Sequence, residues 1–277
     1  MERARSRNRS QRSSNRKREA VTVLDSIIEG VREDLAKRRK SLNQIHDEMS
    51  QAAPVRDAHF VLTGEEMKVI AEVKRSSPSK GALSEITDPA ALAQRYQSAG
   101  ASVISVLTEE RRFKGSLADL DAVRARVDIP VLRKDFMVDE YQFYEARAHG
   151  ADVVLLIVAA LSKSQLKDFF DLATELNMAA LIEVHTADEL ERALEISPRI
   201  VGVNSRNLKT LEVDPTAFSD LIPRIPAELI RVAESGISKR SDVEFAQNSG
   251  ANAILVGEAL VTSGDPDLAM RNLLGRG

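Results

Sequence analysis

KVIAEVKRSSPSKG, residues Lys68 to Gly81, opens as a short apolar run, Val69-Ile70-Ala71, of the kind that forms a strand buried on both faces. Glu72 and Lys74 then interrupt it. Side chains two apart on a strand point the same way, so these two charges share a face and Val73 takes the other. A charged pair on an otherwise apolar strand is costly to bury unless it is paired or used. The run breaks at Ser76-Ser77-Pro78-Ser79-Lys80-Gly81, a turn-forming loop rich in hydrogen-bonding groups. Two readings follow: a structural ion pair closing a strand, or an acid–base pair delivered to an active site.

Working outward, the same punctuation recurs. Asp88-Pro89 is an N-cap followed by proline at the first helical position, and that helix runs to Gly100. Gly100-Ala101 precedes the apolar run SVISVLT, Gly150-Ala151 precedes DVVLLIV, and Gly250-Ala251 precedes NAILVG. Between them lie IPVLRKDF, MAALIEVH, RIVGVNSRN and LIRVAESG, each a short apolar run ending in polar residues. Strands are thus expected from near residues 69, 102, 130, 152, 179, 200, 229 and 252, separated by helical stretches such as Lys163 to Leu176. Strands alternating with helices imply parallel pairing and right-handed crossovers. Eight such units in about 200 residues fit a closed (β/α)8 barrel. An open doubly wound sheet is the alternative, but no G-x-G-x-x-G follows the first strand and no P-loop is present.

The domain reading is a basic, disordered tail over residues 1–20, then one barrel domain over 21–277 that includes an N-terminal extension, 21–68. The extension begins with a helix capped by Thr22 and Asp25 and is expected to pack across one end of the barrel. The tail carries seven arginines and Lys17 against Glu2 and Glu19, a net +6, which leaves the body near −9 out of an overall −3. It has almost no apolar residues to bury, so it is read as inert or as lying upstream of the true start, binding polyanions only weakly. No cysteine is present, and the four histidines lack metal-site spacing, so no metal is expected. The longest apolar run, Val153 to Leu161, is too short for a membrane span, and no signal peptide is seen, which reads as a cytoplasmic protein.

Active sites of such barrels collect at the C-terminal ends of the strands. Those ends here carry Glu72 and Lys74, Lys134, Glu183, Asn204, Glu234 with Ser235, and Gly257. Singly, each has a plain explanation: Asn204 can satisfy backbone groups, and Glu234 can pair with a base. Two lysines and three glutamates converging on one mouth point instead to proton transfer. The strand-seven and strand-eight loops, Glu234-Ser235-Gly236 and Val256-Gly257-Glu258, suit a local phosphate pocket, since glycine permits close backbone approach.

Taken in order, IAEVKRSSPSKG, TEERRFKGS, VLRKDF, LIEVH, GVNSRNL, VAESGIS and LVGEALV resemble the indole-3-glycerol phosphate synthase family of tryptophan biosynthesis over residues 21 to 277. The resemblance implies ring closure of a carboxyphenylamino-deoxyribulose phosphate, with loss of carbon dioxide and then water. It implies Lys134 as the general acid on the sugar carbonyl, Glu183 in the later dehydration, and Lys74, held by Glu72, as a substrate contact and second acid. Asn204 and Glu234 would orient hydroxyls and lysines. Ser235, Gly236, Gly257 and Glu258 match a phosphate site, the last two through their backbone. Phe113, Phe136, Leu155 and Leu208 match a pocket for the anthranilate ring, and Ser77 and Arg206 match polar substrate contacts. The leaving carboxylate departs from the attacking carbon, so the ring nitrogen serves as electron sink and no cofactor is needed. Carbonyl protonation near neutral pH suggests a Lys134 ammonium whose pKa is lowered by burial near another cation.

The alternatives are a Schiff-base aldolase using Lys134 or Lys74, a sugar-phosphate isomerase, and a nucleic-acid binder acting through the tail. The last leaves the charges at the barrel mouth without a role.

Overall fold

Largely apolar runs of four to six residues, each too short to make a stable helix, form the strands. They are β1 (Lys68–Val73), β2 (Val103–Leu107), β3 (Val131–Lys134) and β4 (Val153–Ile157), followed by β5 (Ala179–Val184), β6 (Ile200–Asn204), β7 (Ile230–Glu234) and β8 (Ala253–Val256). Each start lies within one residue of the position expected from the sequence. The computed structural model describes residues 22–208 and 210–276; the tail expected over residues 1–20 lies outside them.

The strands pair in parallel in sequence order, and β1 closes the ring between β8 and β2, with Val69 beside Ile254 and Ala71 beside Ile104. This is the closed (β/α)8 barrel. Helices return the chain between strands, and their starts are written in the sequence. Asp88 caps α4 (Pro89–Ser98), and Ser162 with Gln165 forms a capping box on α7 (Lys163–Glu175). The recurring glycines 100, 150 and 250 all sit at positive φ (106°, 74°, 102°), turning the chain from helix into strand where a Cβ would be strained.

The N-terminal extension does more than cross one end. Helix α1 (Val23–Arg38) buries Leu24, Ile27, Val31 and Leu35, and Ile27 reaches the barrel mouth. Arg111, in the loop after β2, ties down its Asp34 at 2.6 Å and Glu33 at 2.8 Å. Helix α2 (Leu42–Gln51) runs along α6 (Tyr141–Ala148). The chain then reaches the opposite end, where Arg56 donates its backbone N–H to Asp152 at 2.7 Å and its Nη1 to the Ile129 carbonyl at 2.8 Å before α3 (Ala58–Leu62). No described helix is long and apolar enough to cross a membrane.

Candidate active site

Alternation along β3 sends its two adjacent bases to opposite faces. Arg133 is fully buried between barrel and helices, bonded to Glu145 at 2.9 Å, Asp135 at 3.0 Å and the Gln142 carbonyl at 3.1 Å. Glu145 also accepts Arg38 of α1 at 2.8 Å, so one buried network joins the extension to the β3 loop. Asp135 holds the Phe136 backbone N–H at 2.8 Å, which fixes the residue next to the cleft. Lys134 takes the inner face. Its Nζ lies 2.8 Å from Glu183 Oε2 on β5 and 3.1 Å from Glu234 Oε2 on β7. Just past β1, Lys74 Nζ lies 2.5 Å from Oε1 of Glu72 on that strand. The ion pair of the first reading is therefore real, and it stands inside the cleft rather than apart from it.

That cleft, about 550 Å³ in volume, opens at the C-terminal ends of the strands. It brings together every residue singled out in the sequence. Glu72, Lys74, Lys134, Glu183, Asn204 and Glu234 form its floor and walls. Phe113 and Phe136 stand with ring centroids 6.1 Å apart, tilted by 39°, and Leu155 and Leu208 complete an apolar side. Ser77 and Arg206 line the polar rim, and Ser235, Gly236, Gly257 and Glu258 line the β7 and β8 loops. Ser235 adopts a left-handed φ of 66°, as does Gly236 at 72°, so the β7 loop turns its backbone sharply at the rim. The Glu258 carboxylate is drawn aside by an ion pair with Lys80. Asn204 Oδ1 accepts the Arg206 backbone N–H at 3.0 Å, the plain backbone-satisfying role, which still leaves its amide donors.

The electrostatics correct one expectation. Burial does pull the Lys134 ammonium down, but Glu183, Glu234 and Glu72 outweigh it and hold the group well above its ordinary value. Three surrounding carboxylates, rather than a second cation, dominate its field. Burial raises Glu183 too, yet Lys134 and His185 overcome it, and its carboxyl is held far below the usual range. Glu234 goes the other way: burial, with Glu183 beside it, pushes it up to about 7 despite the pull of Lys134. Neighbouring carboxylates sharing one lysine thus separate into an ionised partner and one that holds a proton near neutrality. Glu183 Oε1 and Glu234 Oε1 are buried and accept no hydrogen bond, so each carboxylate is held through its Oε2 on Lys134.

The sequence reading missed several supporting residues. His185, two places beyond Glu183, has Nε2 3.2 Å from Glu183 Oε1 and Nδ1 3.1 Å from Glu189. Burial lowers its pKa, but the two carboxylates carry it up to about 9, so it is an imidazolium at neutral pH. Period-two alternation from Glu183 would have found it. Gly202 on β6 was also missed: a Cβ there would fall 2.0 Å from Glu234 Oε1. A lone glycine inside IVGVN was the available signal of close approach. Gly257 has a parallel role, since its Cβ would fall 2.6 Å from Glu72 Oε1. Its lack of a side chain therefore makes room for a carboxylate, whatever its backbone offers an anion. Glu109 accepts the backbone N–H groups of Arg111, Arg112 and Phe113 at 3.1, 2.7 and 2.9 Å, fixing the loop that presents Phe113.

Comparison with known proteins adds to this geometry. The family model described as indole-3-glycerol phosphate synthase matches residues 24–273. The chain is 56% identical over 259 residues to indole-3-glycerol phosphate synthase 1 of Streptomyces coelicolor, covering 93% of this chain and 96% of that protein. It is 58% identical over 253 residues to the indole-3-glycerol phosphate synthase of Arthrobacter sp. strain FB24, covering 89% and 93%. Among solved structures, a 3-hexulose-6-phosphate synthase superposes with a TM-score of 0.59 over 76% of this chain and 99% of that one. At 19% identity it speaks to the barrel alone.

Proposed function

The chain belongs to the indole-3-glycerol phosphate synthase family, and from that premise we propose how its barrel mouth performs the reaction. The activity is a carboxy-lyase step of tryptophan biosynthesis: 1-(2-carboxyphenylamino)-1-deoxyribulose 5-phosphate closes to indole-3-glycerol phosphate. The observation that carries the residue assignment is the Lys134 ammonium held between Glu183 and Glu234 on the inner face of the barrel.

The anthranilate ring lies against Phe113, Phe136, Leu155 and Leu208, and the phosphate takes the β7 and β8 loops through Ser235, Gly236 and the backbone of Gly257 and Glu258. This places the carboxylate-bearing ring carbon against the sugar carbonyl. As that carbon attacks, the carbonyl oxygen becomes an alkoxide, a stronger base than an ammonium, and Lys134 gives it a proton. A lysine held protonated by carboxylates is a suitable donor to so basic a group. The new neutral amine stands 3.1 Å from Glu234, whose pKa near 7 lets it return a proton at working pH. The carboxylate then leaves as carbon dioxide, and its bonding pair moves toward the ring nitrogen and restores aromaticity. In the last step the former carbonyl oxygen departs as water, protonated by an ammonium, while Glu183, ionised, accepts the proton whose loss forms the indole double bond. Lys74, held by Glu72, supplies the second ammonium. The amide donors of Asn204 orient a sugar hydroxyl, Ser77 and Arg206 add polar contacts, and His185 is a positioning residue that keeps Glu183 ionised. A phosphorylated small molecule is the partner this site needs, nucleic acid has no role in it, and a cytoplasmic location accords with such a substrate.

The test is direct. The chain has no tryptophan, so indole fluorescence on addition of substrate rises over a dark background. Carbon dioxide release should match it mole for mole. Consumption of substrate without carbon dioxide, or a borohydride-trapped adduct on Lys134 or Lys74, would overturn the scheme in favour of isomerase or aldolase chemistry.

A further inference from the structure

The barrel has a second cavity at the end opposite the mouth, about 640 Å³ against about 550 Å³ for the catalytic cleft. It lies between the segment around residues 54–59, helix α7 and the starts of β5 and β6. Arg56, Arg147, Arg199 and His59 line it. Its carboxylate, Asp57, is already engaged, since its Oδ1 accepts the Phe60 backbone N–H at the start of α3, 2.9 Å away.

The three guanidiniums have no paired carboxylate among the described residues. Elsewhere in the chain Arg38, Arg75, Arg95, Arg111, Arg124 and Arg133 each pair with a carboxylate. Among the described residues no carboxylate oxygen lies within 4.0 Å of the guanidinium nitrogens of Arg56, Arg147 or Arg199. Arg147 Nη1 is buried with no hydrogen-bond partner, and its Nη2 makes only a long 3.4 Å contact with the Ala52 carbonyl. Arg199 Nη2 stands 2.8 Å from His59 Nδ1. A guanidinium can only donate, so that imidazole nitrogen accepts and the ring is neutral, with Nε2–H as a further donor. Burial and the Arg199 charge both hold His59 below its ordinary pKa, and burial followed by Arg124 lowers Arg56. Burial is the larger cause in both, and the neighbouring guanidiniums add to it against Asp57 for His59 and Asp152 with Asp128 for Arg56. Arg56 has structural work to do in holding the Ile129 carbonyl, but no comparable bond occupies Arg147.

We propose that this cavity is a binding site for a small organic anion, a phosphate monoester or carboxylate, seated between Arg147, Arg199 and His59. The nitrogens that Arg147, Arg199 and His59 turn to the cavity are donors, which favours an acceptor-rich ligand. Phe170 and Met178 supply an apolar wall for the rest of the molecule. The ligand would grip the starts of β5 and β6, whose far ends carry Glu183 and Asn204, without entering the catalytic cleft.

Isothermal titration with inorganic phosphate, and separately with citrate, tests the proposal on the full chain. The catalytic cleft supplies one phosphate site, so wild type should show a second, or a citrate site, or both. Which anion binds identifies the head group. Arg147→Met should weaken that second binding at least tenfold. Thr174→Glu changes an exposed α7 residue that lines the cavity and brings a carboxylate to the arginines. It should abolish the second site while leaving indole formation unchanged, which keeps the test decisive if Arg147→Met fails to fold. A single phosphate site with no citrate binding in wild type, or second-site binding unaffected by Thr174→Glu, would overturn the proposal. Neither result touches the catalytic reading, which rests on turnover.

Discussion

Glu234→Gln should make the protein more stable in mild alkali while nearly abolishing turnover. The substitution keeps the shape of a side chain that is only 2% exposed and removes its titration. Glu234 moves from 4.5 in the unfolded chain to about 7 in the folded one, a difference worth at most about 3 kcal/mol. The sign follows from proton counting. The folded chain holds this proton more tightly, so the stability it lends is fully present below the unfolded pKa and is lost as pH rises through the folded one. Wild type therefore carries the strain of a buried, partly repelled carboxylate above about pH 7, and the glutamine variant does not. Urea unfolding at about pH 5 and about pH 8.5 should show near-equal stability at the lower pH and a variant more stable by about 1–3 kcal/mol at the higher. Turnover should fall by about 10²–10⁴-fold, since Lys134 loses its proton source. A variant whose stability tracks wild type across both pH values would refute the assignment of this buried carboxylate.

Other outcomes follow from the same geometry. Lys134→Ala should cost about 10²–10⁴ in kcat with a much smaller change in substrate binding, and Lys134→Arg should fail too, because a guanidinium does not give up its proton; a Lys134→Ala enzyme keeping a tenth of its chemical rate would sink the general-acid role. His185→Gln should move the acid limb of the kcat profile upward by about 1–2 pH units, the worth of a charge-assisted contact to Glu183. A merely structural histidine would lower activity without moving that limb. Gly202→Ala places a methyl 2.0 Å from Glu234 Oε1 and should cost about 1–3 kcal/mol of stability together with most of kcat. Near-wild-type turnover in that variant would show that Glu234 need not stand beside Lys134.

The chain's own order determined the barrel. Short apolar runs between capped helices, with glycine at three of the returns, leave parallel strands as their way to bury both faces, and the strand starts could be read to within a residue. The strand-end rule then located Glu72, Lys134, Glu183 and Glu234, because strand periodicity and the barrel's polarity say which end and which face a residue occupies. What stayed hidden depends on which strands meet across the interior. Lys134 and Glu234 are a hundred residues apart in the chain and 3.1 Å apart in space. The balance of burial against neighbouring charge that raises Lys134, lowers Glu183 and lifts Glu234 exists only once the ring closes. Gly202 likewise reads as an ordinary strand residue until Glu234 from the next strand leans over it. Pattern along a chain is local, whereas an electrostatic field and the shape of a cavity are sums over neighbours that the fold alone assembles.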